Sequence, residues 1–220
     1  MRITWYGHAA FLIETSGTRI ILDPFRSPDS GGYAPIDEPA DLVIISHEND
    51  RYHSHLGQIV PPFDLVKALE LPARGVETHG IRIIAVHVFE NADRLPEDEV
   101  TIMQLHVEGL RIVFLGDLGH ALEPAELAPL VGAEIVLAAA GGPPTIDLNL
   151  LPSLIAAIGA KIVIPMHYKN AKINLNILPV ERFFAVFPET PVVHLTGSSL
   201  EVDRNSLPIS LEIVSLQPAR

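Results

Sequence analysis

The chain has 220 residues, 48% of them apolar, and a formal net charge of -12, which supports a compact folded core and, with no basic run, disfavours an extended nucleic-acid groove. It contains no cysteine, so disulfides, thiolate catalysis and cysteine-based zinc sites are excluded, and any metal must be held by histidine, carboxylate or amide oxygen. No apolar run is long enough to span a bilayer and the first residues carry no signal-peptide pattern, so the expectation is a cytoplasmic protein with neither a membrane nor a nucleic-acid partner.

Strand patterns are predicted at about Ile3 to Tyr6, Ala10 to Glu14, Arg19 to Leu22, Leu42 to Ser46, Ile81 to Phe89 and Thr101 to Val107, separated by Gly, Pro and Asp turn signals. After Gly109 the pattern mixes strands (Leu110 to Leu115, Ile135 to Ala139, Lys161 to Ile164, Val192 to Leu195, Ile209 to Leu216) with helices (Glu123 to Leu130, Leu148 to Ile158, Pro179 to Phe187). Pro-containing stretches at Arg26 to Ala40 and Arg94 to Asp98 read as surface loops rather than interdomain linkers. The prediction is one α/β domain over residues 1–220, with pseudo-halves at about 1–109 and 110–220. Its sheets stack face to face with helices outside, as a four-layer α/β/β/α sandwich. A compact acidic chain of this kind also suits a symmetric homo-oligomer.

Four strand-end motifs carry the chemistry. Leu42 to Ile45 form a β-branched apolar run that suits a strand covered on both faces, and His47 follows at its carboxyl end, where open α/β sheets place ligands. The others are Leu115-Gly-Asp-Leu-Gly-His120, Ala140-Gly-Gly-Pro-Pro-Thr-Ile-Asp147 and Ile164-Pro-Met-His-Tyr-Lys169. Each sets a polar or glycine-rich turn after an apolar strand, so all can converge on one rim. His79, His106 and His194 lie in or beside strand patterns and are given no role.

Together with Trp5-Tyr-Gly-His-Ala-Ala-Phe-Leu-Ile-Glu14 and Ile21-Leu-Asp-Pro-Phe25, these motifs resemble the metallo-β-lactamase fold, and within it the small metal-dependent hydrolases that include ascorbate-6-phosphate lactonase. In that family a His-x-His-x-Asp-His loop, a later His, a bridging Asp and a final His hold two metals. The resemblance, laid on without gaps, puts His47, Asn49, Arg51 and Tyr52 at the loop's ligand positions, Glu90 at the third histidine, Asp117 at the bridge and His167 at the end. Only His47, Asp117 and His167 keep the family's residue type, so the set is degenerate. His87 lies three residues before Glu90, on the opposite face of its strand.

A guanidinium cannot coordinate a cation, so Arg51 argues against a second metal, while His47, Asn49, Glu90 and Asp117 form an oxygen-rich set suited to one divalent ion, zinc or manganese. Arg51 either stands between Asp117 and Glu90 in place of the metal, binding an anionic ligand or an oxyanion, or is an exposed loop residue. A shifted register is the alternative reading of the loop, because Asp50 and His53 keep the Asp-x-x-His order and His55 follows. His8 corresponds to the mouth of the family's site. Asp23 is expected to fix turn geometry through backbone N–H groups, His120 either to orient Asp117 or to cap the next turn, and Gly141-Gly142 to allow close backbone approach. The resemblance thus implies a hydrolase of esters, lactones or phosphodiesters, holding at most one metal. Asp117, Arg51 and Tyr52 are its candidate catalytic groups, and His8, Arg51 and Tyr52 would contact a small anionic substrate. The alternative is an inactive homologue that binds a small anion or a protein.

Overall fold

Successive side chains of the first strands point to opposite sides of their sheet, and both sides are buried. The computed structural model describes residues 1–220. Its first sheet is built from β1 (Arg2–Gly7), β2 (Ala10–Glu14), β3 (Arg19–Leu22), β4 (Leu42–Ile45) and β5 (Asp64–Lys67). Ile3, Trp5, Phe11, Ile13, Ile20, Leu22, Leu42 and Ile44 face one core, and Tyr6, Leu12, Ile21, Val43 and Ile45 face a second. The second core is closed by Phe25, Tyr33 and Ile36 from the segment between β3 and β4. Loop rather than helix therefore covers that side of the sheet.

The chain continues through β6 (Val76–Thr78), β7 (Ile81–Phe89), β8 (Glu99–Val107), β9 (Leu110–Phe114), α1 (Pro124–Leu127), β10 (Ile135–Ala139), α2 (Leu151–Ile158) and β11 (Ile162–Met166). It closes with α3 (Val180–Ala185), β12 (Val192–His194), β13 (Ser199–Glu201) and β14 (Glu212–Ser215). The sheets run β13-β1-β2-β3-β4-β5 and β12-β14-β11-β10-β9-β8-β7-β6, two mixed sheets with helices in an α/β sandwich. Helix α2 crosses between the parallel strands β10 and β11 and buries Leu151, Leu154, Ile155 and Ile158, spaced as one helical face. Gly159 ends it in the left-handed conformation, φ 85°, its N–H bonded to the Ile155 carbonyl.

Strands β5, β6 and β13 have no counterpart in the sequence prediction. They are three or four residues long and incompletely buried, so no apolar alternation announces them, and pairing with β4, β7 and β1 makes them strands. Most strong strand patterns were predicted to within two residues, β2, β3, β7 and β10 at their observed bounds.

Parallel pairing aims the site. β3 and β4 run parallel in one sheet, as do β9, β10 and β11 in the other. Their carboxyl ends deliver Asp23, Ser46, Asp117 and His167 to a common rim. His8 joins from the turn between β1 and β2, its carbonyl accepting the His167 backbone N–H at 2.9 Å and the Trp5 indole N–H at 3.0 Å.

Candidate metal centre

The loop after β4 decides which side chains enter the site. The Asn49 carbonyl accepts the backbone N–H groups of Tyr52 (3.0 Å), His53 (2.8 Å) and Ser54 (3.0 Å), so the chain makes a single helical turn here. The Asn49 N–H donates to the Ser54 hydroxyl, and the Asn49 side-chain oxygen accepts the Tyr52 N–H at 3.3 Å. This turn swings Arg51 outward and His53 inward. His53 is 1% exposed; Arg51 is exposed, and its Nε donates to the Asp29 carbonyl at 2.8 Å.

The His53 ring lies between two carboxylates, Nδ1 being 2.9 Å from Asp23 Oδ2 and Nε2 2.9 Å from Asp117 Oδ2. Burial opposes its charge, but Asp117 and Asp23 outweigh that and push its pKa up to about 10. Asp23 also accepts the backbone N–H of Ser46 at 2.7 Å and the Ser46 hydroxyl. With its only proton given to Asp23, the Ser46 oxygen accepts from His47 Nδ1 at 2.9 Å. His47 Nε2 is thereby the lone-pair nitrogen, buried and without a partner. Burial first, then the His53 charge, lowers the His47 pKa to about 4.

Further buried atoms also lack partners: both His8 ring nitrogens, Asp117 Oδ1 and His167 Nδ1. Burial holds the His8 pKa well below the ordinary value, and burial also lowers that of His167. Asp117 is kept well below the usual carboxylate range because His53 and His167 outweigh its desolvation. Such a density of buried donors and acceptors without protein partners suits the binding of a cation. Ligand nitrogens of His8, His53 and His167 lie within 4.8 Å of one another, and Asp117 reaches two of them, His53 at 2.9 Å and His167 Nε2 at 3.7 Å. A second group, Asp23, His47 and His53, meets the same spacing. These donors are compatible with a metal ion, and His53 belongs to both groups.

His8, Asn49, Tyr52, Glu90, Asp117 and His167 line one cavity of about 350 Å³, together with His53. The His8 ring lies tilted against Tyr52 at 5.1 Å and against His167 at 4.2 Å between centroids. A larger cleft of about 780 Å³ lies beside Met1 and Glu108 and contains no histidine.

Several expected placements change. Arg51 forms no ion pair with Asp117 or Glu90; the cation between buried carboxylates is His53, joining Asp23 to Asp117. Asn49 directs its oxygen into its own turn, so as a ligand it is replaced by His53. Glu90 is on the cavity wall but in neither ligand group; burial, then the Asp117 charge, raises its pKa. His120 bonds to neither oxygen of Asp117: its Nε2 accepts the Phe89 N–H at 3.1 Å, and its Nδ1 donates to the Ala121 carbonyl at 2.9 Å, pinning the turn before Glu90. Gly119 lets that turn approach, since a Cβ there would sit 1.7 Å from the Glu90 carbonyl oxygen. Gly141 does the same beside the His167 carbonyl, at 2.4 Å. His87 points outward to Glu99 at 2.8 Å, as its register requires.

His53 and Asp23 are the members that gap-free alignment of the loop missed. The Asp50-x-x-His53 spacing was the available signal for His53. Asp23 accepts a backbone N–H from Ser46 at the end of β4 rather than from its own turn, and its grip on an imidazole from another loop has no local signature.

Known proteins resemble the chain over most of its length. A family model described as the beta-lactamase superfamily domain matches residues 2–167. A UPF0173 metal-dependent hydrolase of Methanopyrus kandleri is 26% identical over 196 residues, covering 76% of this chain and 84% of that protein. One from Methanosphaerula palustris is 28% identical over 190 residues, covering 77% and 84%. Among solved structures, a candidate zinc-dependent hydrolase of the metallo-β-lactamase superfamily from Thermotoga maritima has a TM-score of 0.78 and 27% identity, covering 98% of this chain and 97% of that one. An isothiocyanate hydrolase from Delia radicum gut bacteria, at TM-score 0.66 and 16% identity over 92% and 100% of the two chains, shares the fold. With the family model matched across both sheets and the strand ends that carry the site, the chain belongs to the β-lactamase superfamily.

Proposed function

We propose that this protein is a hydrolase whose centre holds one divalent ion, zinc or manganese, between His8, His53, His167 and Asp117. The observation that carries the reading is the set of unpartnered buried ring nitrogens converging on Asp117. One ion is favoured over two because both ligand groups need His53, and Asp23 is already committed to Ser46. The carboxylate of Asp23, holding His53 Nδ1, would orient the ring and leave Nε2 free to ligate.

A divalent ion at this place supplies Lewis acidity and a water acidic enough to react near neutral pH. Asp117 Oδ1, which has no protein partner, is placed to accept the proton of an attacking water. Tyr52, whose hydroxyl makes no internal hydrogen bond, would donate to the negative charge that develops on the substrate oxygen. Pro144, Leu175 and Ile177 form the apolar wall, and the cavity suits the acyl group of a small ester or lactone, or a small phosphodiester.

The doubly bonded His53 favours a second reading. As an imidazolium it already neutralises the buried carboxylates, so the fold can persist without metal as a binding module for a small anion. Elemental analysis and zinc titration of the chelator-treated protein separate the two. One tightly bound equivalent, lost in His167→Ala and accompanied by ester or lactone turnover, supports the hydrolase; no binding and no turnover supports the module.

A further inference from the structure

A second cavity, of about 330 Å³, adjoins the first, and Tyr52 lines both. The His8 ring lies 5.1 Å from the Tyr52 ring centroid, and the Arg51 guanidinium carbon lies 5.0 Å from it. The second cavity is lined by Ser30, Gly31, Gly32, Arg51 and Lys172, with Asp29 at its edge. Unlike the first, it presents two cations.

Those cations are available. Six arginines are paired with carboxylates: Arg2 with Glu201, Arg19 with Glu14 and Glu38, Arg26 with Asp29 and Asp50, Arg94 with Glu123 and Glu126, Arg111 with Glu134, and Arg220 with Glu38. Arg51 has no carboxylate partner, and Lys172 has no side-chain carboxylate partner. The guanidinium uses only Nε, toward the Asp29 carbonyl, which leaves both Nη groups with protons to donate. The Lys172 ammonium donates to the main-chain oxygen of Arg220, the last residue of the chain, and keeps two further protons. The Asp29 carboxylate is held by Arg26 at 2.7 Å.

Ser30 is the independent sign of a built site. It is 3% exposed, and its hydroxyl is buried with no hydrogen-bond partner. A hydroxyl left so beside the Arg51 and Lys172 cations has no protein acceptor, and an anion would supply one. The glycines bring the walls together: the Gly32 N–H donates to the Lys172 carbonyl at 2.6 Å, and a Cβ at Gly31, φ 139°, would meet that oxygen at 2.4 Å.

We infer that this cavity is an anion subsite formed by Arg51, Lys172 and Ser30, and that the substrate of the adjoining centre carries a terminal carboxylate or phosphate that docks there. The identity of the substrate rests on the hydrolase reading; the subsite does not. In a chain of net charge -12, the Arg51 guanidinium with both Nη groups unengaged, beside the Lys172 ammonium, concentrates the attraction for an anion where Tyr52 can contact both ends of a short molecule.

The test begins with metal-free protein and inorganic phosphate, and separately propionate, followed by amide NMR. The expected result is saturable shifts at Ser30, Gly31 and Gly32, with affinity about tenfold weaker in Arg51→Ala and in Lys172→Met. The stronger of the two anions identifies the terminal group. Absence of saturable shifts at those amides, or unchanged affinity in both variants, overturns the subsite. A second measurement compares a carboxylate-terminated ester with its neutral methyl analogue on metal-loaded protein, where Arg51→Ala should reduce the kcat/KM preference for the anionic ester. Anion binding without turnover of either ester keeps the subsite and removes the hydrolase; turnover without anion binding does the reverse.

Discussion

Replacing His53 with Gln removes the one cation between Asp23 and Asp117 while keeping a side chain of similar length and a single donor amide. In metal-free protein both carboxylates are buried, at 0% and 4% exposure, and each has a hydrogen bond from the His53 ring. Removing one partner of such a buried ionic group costs about 3–5 kcal/mol. For a chain of this length that lowers Tm by roughly 10 °C. The folded-state pKa of about 10 lies above the ordinary 6.5, so the stabilisation is complete below pH 6.5 and is lost as pH rises toward 10. The parent should therefore lose stability between pH 7 and 10 in urea titrations with chelator present, and His53→Gln should show a flatter profile there. Adding Asp117→Asn to His53→Gln should recover part of the loss, because one uncompensated charge is removed with it. A His53→Gln cost below about 1 kcal/mol, or matching pH slopes in parent and variant, would refute the imidazolium bridge.

On the acid side, His8, His47 and His167 are held neutral below their ordinary values, so the unfolded chain takes up protons first and stability should fall as pH drops below 6.5, through about 4 for His47; calorimetry from pH 7 to 4 reads this directly. Gly119→Ala would set its Cβ 1.7 Å from the Glu90 carbonyl oxygen, and a destabilisation above about 2 kcal/mol in urea titration is expected; a neutral result would show that the Phe89–Glu90 turn can move away. His87→Ala, at an exposed pair with Glu99, should change stability by no more than about 0.5 kcal/mol by the same measurement. Zinc titration should saturate at one equivalent, and two tightly bound ions would mean that the loop rearranges so that His53 is not shared between the ligand groups.

Elements whose pattern is local are legible in the amino-acid order. Apolar runs in β1 to β4 and helical spacing in α2 are properties of consecutive residues, and the structure buries the strands on both faces and the helix on one. The strand-end motifs located the rim, because the carboxyl ends of parallel strands must open on the same side, and Asp117 and His167 reach it together. His87 could be turned outward from its register alone.

Tertiary structure decided which side chains occupy the rim. Whether Arg51 or His53 turns inward depends on the helical turn closed by the Asn49 carbonyl, and on Asp23, which comes from a different strand end and fixes the imidazole once it arrives. Counting ligand positions along the loop placed Arg51 between carboxylates because a gap-free alignment cannot register a turn that shifts the chain by one residue. The short edge strands and the Arg51–Lys172 cavity escaped for the same reason. Lys172 and Ser30 are far apart in sequence, and only the packing of Gly31 and Gly32 against the Lys172 backbone brings their polar groups to one wall. Local periodicity is written into neighbouring residues; a charge balance among buried groups is set by distances between segments, which exist only once the chain has folded.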